Sequence, residues 1–300
     1  MNKVVVIGGC SVNSIIHLDE LPTGGSGTVI ARDSYKAVGG TGAGKALNLK
    51  ALGIDVHLHS LLGDDAEGRT VQTTIANAGV VLELAANTQA DGALAPTEQH
   101  VNLMLPEGHR VSIYTHPPAS QSDTDWDRFA TEANDADIIV VNILEYVRDA
   151  LPALTRLGKP IWTDLHDYRD GVEYYDCFIE AADVILLSDT NLTDYRATMR
   201  KLIERSELVI CTHGEAGATL LNRAGDWYKQ EALKVEKVVD TNGAGDAFFS
   251  GFLKGHLSDY PLEACLKLAA ACGALAVQSR SLCGEHLSIE TAAAMTQQPS

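Results

Sequence analysis

The sequence predicts an α/β fold: a mainly parallel sheet covered by helices, with a smaller sheet beside it. Two observations carry that expectation. Short β-branched runs recur between helical patterns, at Val4 to Ile7, Val56 to Leu62, Ile138 to Val141, Pro160 to Thr163, Val184 to Leu187 and Leu208 to Cys211. Near-continuous apolar strands of this kind suit a sheet buried on both faces by crossover helices. Two stretches break the rhythm: Ile15 to Val38, which holds Gly24-Gly25-Ser26-Gly27, and Thr97 to Tyr114. In the second, apolar and polar residues alternate around the turn Pro106-Glu107-Gly108, the period of a strand with one wet face.

The clearest helix opens at Pro261 and sets Leu262, Cys265, Leu266, Ala269, Cys272 and Ala276 on one face at three- and four-residue spacing, so it should pack on the sheet. With 300 residues, 45% of them hydrophobic, the chain can bury a large core. A formal net charge of −17 with no basic cluster argues against nucleic acid or an anionic membrane as partner. The six cysteines are scattered without a Cys-x-x-Cys pair and read as buried thiols. The opening apolar run, Val4 to Ile7, is too short for a signal sequence, and no apolar stretch approaches ~20 residues. A cytoplasmic protein is the expectation from these features.

The most informative segment is Asp240-Thr241-Asn242-Gly243-Ala244-Gly245-Asp246, followed by the apolar Ala247-Phe248-Phe249. It places a glycine turn directly before a helix, so unpaired N–H donors and the positive end of the helix dipole face one point. Gly243 and Gly245 remove the side chains that would keep an anion away. Asp246, in the first turn, is favoured as a carboxylate by the same dipole and is positioned to accept a proton from a hydroxyl. An aspartate in the first turn is also a common helix start with no further role.

The string Asp240-Thr241-x-Gly243-Ala244-Gly245-Asp246 resembles the signature of the ribokinase-like (PfkB-type) carbohydrate kinases. Further resemblances follow in family order: Gly39-Gly40, then Leu52-Gly53, then Leu62-Gly63-Asp64-Asp65-x-x-Gly68, then Thr212-His213-Gly214-Glu215-Ala216-Gly217-Ala218. The resemblance runs from Val4 to about Gly284. It implies a three-layer sandwich in one domain spanning 1–300, with lid strands inserted at about 12–38 and 95–116. It also implies ATP-dependent phosphorylation of a hydroxymethyl group on a sugar or sugar-like substrate. Asp246 would be the general base, and Gly243, Ala244 and Gly245 the anion hole. Asn13, Gly39, Gly40, Gly44 and Lys45 would meet the substrate. Ser188, Asn191, Thr212, Gly214, Gly217 and Asn242 would meet ATP with Mg²⁺, and Asp240 would help to order a K⁺ ion. Lid edges in such proteins pair into homodimers.

Several positions depart from the family. Asn13 stands where an aspartate usually holds substrate hydroxyls, and it brings hydrogen bonding without charge. As an alternative, Asn13 simply sits in a turn. The usual asparagine of the N-terminal glycine motif falls at Gly44, and Lys45, one place later, is the candidate replacement. Ser188 and Asn191 take the places of Asn and Glu near the phosphates; capping by Ser188 is the plainer reading. Asp164-Leu165-His166-Asp167-Tyr168-Arg169 resembles a "DxNxxR" stretch with His166 substituted, at a strand exit where open α/β sheets bind ligands. Gly39 to Ala46 nearly spells a P-loop, but Ala46 cannot hold Mg²⁺ and no apolar strand precedes the segment. His57 and His59 share a strand face without a third metal ligand. Two other readings stay open: a nucleoside kinase of the same fold, and a non-catalytic sugar- or nucleoside-binding regulatory protein.

Overall fold

A computed structural model describes residues 2–22, 24–88, 93–106, 110–118 and 120–297. Its main sheet has nine strands: β1 (Lys3–Ile7), β4 (Asp55–Leu62), β5 (Val81–Ala86), β8 (Ile138–Asn142), β9 (Ile161–Asp164), β10 (Val184–Ser188), β11 (Leu208–Thr212), β12 (Ala218–Asn222) and β13 (Trp227–Gln230). They are ordered β13-β12-β11-β10-β9-β8-β1-β4-β5. All neighbours from β11 to β5 run parallel, and only β12 and β13 pair antiparallel. Each of the six apolar runs read from the sequence lies in a strand of this sheet, shifted by at most a residue or so at either end.

Alternation along these strands divides the interior into two layers, because successive side chains leave opposite faces. On β1, Val4 and Val6 join the layer under α1 (Thr41–Ala51), α2 (Ala66–Asn77), α8 (Ala244–Leu257) and α9 (Leu262–Ala276). Val5 and Ile7 join the opposite layer under α3 (Trp126–Glu132), α4 (Glu145–Arg148), α5 (Leu151–Thr155), α6 (Asp176–Ala181) and α7 (Tyr195–Leu202). The result is a three-layer sandwich. Pro261 caps α9 as expected, and Cys265, Leu266, Ala269, Cys272 and Ala276 are buried along it. α10 (Ile289–Thr296) closes the chain against α9, its N-terminus held by the reciprocal Ser288–Thr291 capping box.

The two irregular stretches form a separate four-stranded sheet, β3-β2-β6-β7, from β2 (Ser11–His17), β3 (Asp33–Gly39), β6 (Glu98–Met104) and β7 (Arg110–His116). Of the turn expected between β6 and β7, Glu107 and Gly108 lie outside the described residues. Cross-strand partners share a face, so Asn13, Ala37 and His100 stand together, as do Ile15, Tyr35 and Asn102. The Tyr35 hydroxyl reaches Asp240 on the main body, which identifies this face as the one turned toward the glycine turn. No described helix is long and apolar enough to cross a membrane.

Candidate active site

Two helix N-termini meet beneath the small sheet. α1 starts at Thr41 after Gly40, which has φ +88° and where a Cβ would overlap the Gly9 carbonyl and Cys10. A side chain on Gly42 would overlap the backbone of Gly8, and Gly42 N–H donates to the Gly9 carbonyl at 3.0 Å. The glycines of this segment therefore seat α1 on the exit of β1. β3 does precede them, but it is a half-exposed strand of the small sheet rather than a buried apolar one, so the P-loop likeness ends there. Gly39 leaves room for the buried amide of Asn13, whose Oδ1 accepts from Ser11 Oγ at 2.9 Å.

α8 starts at Ala244, with Gly243 as its cap at φ +81°, a left-handed conformation that glycine adopts without strain. A Cβ on Gly245 would meet nothing within 4 Å, leaving open space in front of the helix end. Asn242 N–H donates to Asp240 Oδ1 at 2.8 Å, and Ala244 N–H makes a long bond of 3.3 Å to the Thr241 carbonyl. An arriving phosphate would compete with the second of these. Asp246 occupies the first turn of α8 and is buried.

The Asp246 carboxylate is not alone. Lys45 Nζ donates to Asp246 Oδ1 at 2.6 Å and to Asp164 Oδ2 at 3.0 Å, and the lysine side chain is 0% exposed. Its ammonium also lies 5.0 Å from the centre of the Phe249 ring. Lys45 and Gly44, expected as sugar contacts, are thus placed differently. The Lys45 ammonium is spent on two carboxylates with no surface left for a ligand. Gly44 faces Asp246 directly, where any Cβ would overlap Oδ2. Ser250 Oγ links the two helices, donating to the Asp246 carbonyl at 2.7 Å and the Lys45 carbonyl at 3.3 Å.

The charges in this cluster respond differently to burial. Burial raises the Asp246 carboxyl above its ordinary value, and Lys45 only partly offsets this. Burial acts the same way on Asp164, but His166 and Lys45 beside it, with the His166 N–H at 2.9 Å, hold that carboxyl well below the usual range. Burial lowers the Lys45 ammonium, yet the two carboxylates outweigh it and leave it raised. His166 adopts φ +53°, a conformation that non-glycine residues rarely take. The turn it makes aims its own N–H at Asp164.

The residues expected at the nucleotide lie along the same carboxyl edge of the sheet, since Asp164 pairs in register with Leu186 and Ser188 with Thr212. Ser188 Oγ accepts from Thr190 N–H at 3.3 Å, the capping role. Asn191 donates to the Asp167 carbonyl at 2.6 Å. Gly217, at φ +95°, sits where a side chain would overlap the Gln230 carbonyl, whereas a Cβ on Gly214 would meet nothing within 4 Å. His213, just before Gly214, is fixed by Asp189 at 2.7 Å and Thr219 at 2.9 Å.

A model of the "pfkB family carbohydrate kinase" matches residues 1–155 and 160–287. The chain belongs to the PfkB family of carbohydrate kinases. Like other PfkB kinases it is an ATP-dependent phosphotransferase with an alcohol group as acceptor. It is 35% identical over 282 residues, 91% of each chain, to the acarbose 7(IV)-phosphotransferase of an Actinoplanes species. It is 26% identical to the ATP-dependent ribose-1-phosphate kinase of Halopiger xanaduensis, over 92% of each. Among solved structures, a microbiome-derived acarbose kinase superimposes with a TM-score of 0.86 at 26% identity, covering 99% of each chain. The ribokinase fold is shared with Arabidopsis thaliana ribokinase bound to ribose and ATP, at a TM-score of 0.79, 20% identity and complete coverage of both chains.

The residues that sequence reasoning missed lie mostly on the small sheet. Arg110 Nη1 donates to Asn242 Oδ1 at 2.9 Å, Tyr35 Oη to Asp240 Oδ2 at 2.7 Å, and Arg280 pairs with Asp33 at 2.5 Å while stacking on the Tyr35 ring. Glu98 and His100 pair at 2.6 Å, with the Tyr114 ring 4.0 Å from His100, and Asn102 Oδ1 is buried without a partner. The two-residue spacing of Glu98, His100 and Asn102 was the available signal.

Proposed function

We propose that this PfkB kinase transfers the γ-phosphoryl group of ATP to a hydroxymethyl oxygen of an acarbose-type pseudo-oligosaccharide. The single observation that carries the chemistry is the second oxygen of Asp246: Oδ1 is held by Lys45, while Oδ2 lies against Gly44 with no hydrogen bond among the described residues. A substrate hydroxyl there gives its proton to Oδ2, and its oxygen attacks the γ-phosphorus in line. The N–H groups of Gly243, Ala244 and Gly245 receive the developing charge on the phosphoryl oxygens. Asn13, Gly39 and Gly40 border the sugar, Asn242 adjoins the phosphates, and Thr212, Gly214 and Gly217 line the nucleotide side. The choice of substrate is supported by the 35% identity to the acarbose phosphotransferase over nearly the whole chain.

Ser188, Asn191 and Thr212 offer only neutral oxygens, and no group of three or more acidic, histidine or cysteine residues among the described residues is arranged to hold a metal. Ser188, Asn191 and Thr212 would face an Mg²⁺ ion carried in on the nucleotide, which would neutralise phosphate charge. The Asp240 carboxylate already accepts from Tyr35 and Asn242, so it would serve K⁺ only by ordering neighbouring carbonyls. We read 1–300 as one domain with the small sheet inserted as a lid. A second copy is the partner we propose for the lid edge β7, where Val111 and Ile113 are exposed. A reducing, cytoplasmic setting is supported by six cysteines free of disulfides.

The test is coupled ADP release with Mg-ATP across acarbose-type compounds, pentoses, ketohexoses, sugar acids and nucleosides. The pseudo-oligosaccharide class should lead by at least about 10²-fold in kcat/KM, the discrimination a site with dedicated polar contacts can reach. Preference for a nucleoside or a free pentose would overturn the substrate choice. Ligand binding without any turnover would overturn the catalytic reading.

A further inference from the structure

We propose that Lys45 is a positioning residue for phosphoryl transfer, which holds one oxygen of the Asp246 base, leaves the other for the substrate proton, and shifts its hold to Asp164 once Asp246 is protonated. This rests on the kinase reading above and concerns how its base is kept ready.

The geometry supplies the steps. Lys45 on α1, Asp246 on α8 and Asp164 at the end of β9 come from three elements, and the ammonium between the carboxylates is wholly buried. Two buried carboxylates with no cation between them would share one proton, because like charges at close range cannot both ionise cheaply. A protonated Asp246 could not act as a base. Lys45 removes that obstacle, and the only other titratable group facing the pair among the described residues, His166, stands 3.4 Å from Asp164. With one ammonium and two carboxylates, the trio carries a net negative charge before reaction and none after Asp246 accepts a proton. Proton uptake therefore relieves a buried charge, which favours the acceptor role.

The substrate O–H proton moves to Asp246 Oδ2, and the oxygen lone pair forms the bond to the γ-phosphorus. The bond from that phosphorus to the β,γ-bridging oxygen breaks, and its electron pair leaves on ADP. Gly44 is part of the same device: with no Cβ it leaves room for Oδ2 against α1, while Lys45 next to it takes Oδ1. Gly44, the departure from the family motif, and Lys45 beside it are one physical feature.

The experiment is the pH profile of kcat and of sugar KM for wild type, Lys45→Met and the double variant Lys45→Met/Asp164→Asn. Lys45→Met should lower kcat at pH 7 by about 10²-fold, move its acid limb up by about one to three pH units and leave sugar KM within about threefold. Removing the second carboxylate in the double variant should bring the limb back down. An unmoved limb, or a raised KM with unchanged kcat, would overturn the proposal; the latter would make Lys45 a sugar ligand. If Lys45→Met does not fold, Asp164→Asn alone decides, since loss of the neighbouring negative charge must move the limb to lower pH. Carboxyl ¹³C NMR titration of Asp246, assigned by its loss in Asp246→Asn, reads the same shifts without turnover. An inactive wild type would thus overturn the kinase reading while this inference was still judged by the titration.

Discussion

The floor of the site and the lid above it are built by opposite means. The floor packs two helix N-termini against a doubly covered sheet and buries its three charges, with the Lys45 side chain 0% exposed and that of Asp246 8% exposed. The lid roots Val12 and Val38 in the core at its base, but over the site it meets the body through polar rim contacts such as those of Tyr35, Arg110 and Arg280, and its outer strand is exposed along nearly its whole length. A buried, interlocked cluster fixes geometry to a fraction of an ångström, whereas contacts at a wet rim are individually weak and reversible. Chemistry should therefore be lost by touching the floor, and affinity by touching the lid.

The largest effect should come from the base itself. Asp246→Asn keeps the shape but not the charge, and should reduce kcat by about 10²–10⁴-fold while leaving the fold intact; turnover near wild type would remove Asp246 from the chemistry. Next comes Gly44→Ala, whose methyl must displace Asp246 Oδ2. Misplacement of a reacting group by about 1 Å can cost about 10²-fold in rate, so kcat should fall on that scale while ATP KM stays within a few-fold. A floor loose enough to absorb the methyl would leave kcat intact and blur the contrast drawn above.

On the lid, Tyr35→Phe deletes one hydrogen bond to a carboxylate, worth about 1.5–3 kcal/mol when fully formed and less at a half-exposed rim. The expectation is a rise of about tenfold in sugar KM with little change in kcat; the reverse pattern would place Tyr35 with the floor. The smallest effect isolates the scaffold from both. His59 on β4 is buried among Trp126, Phe129 and Tyr146, and burial lowers its pKa to about 4. The unfolded chain binds the proton from about pH 6.5 downward and the folded one only near 4, so stability is lost as pH falls between those values. From pH 7 to 5.5 the loss should be about 1 kcal/mol, visible in urea unfolding and absent in His59→Phe. An identical pH dependence in that variant would clear His59 of the effect.

The sequence made the floor's outline legible and its wiring illegible. Strand runs such as Val184 to Leu187 and the turn before Asp246 are local patterns, set by periodicity and by glycine, and they fell where the structure has β10 and the start of α8. The partnership of Lys45 with Asp164 spans 119 residues, and that with Asp246 spans 201. No local pattern encodes such distances, so Lys45 read as a group free to meet sugar. The lid contacts were hidden for a related reason: Tyr35 and Arg110 look like ordinary residues of strands with a wet face until the sheet is folded over the glycine turn.

The cysteines, finally, make the molecule convenient to instrument. Burial pushes Cys10, Cys211 and Cys272 up to about 12, and Cys265 and Cys283 up to about 11. At neutral pH the reactive thiolate form of each is then about one part in 10⁴ or less. Cys177, half-buried on α6, is the native thiol an alkylating dye would meet first. With Cys177 replaced by serine, a single cysteine placed on the outer lid strand could carry a fluorophore, and the rise and fall of the lid could be timed during turnover.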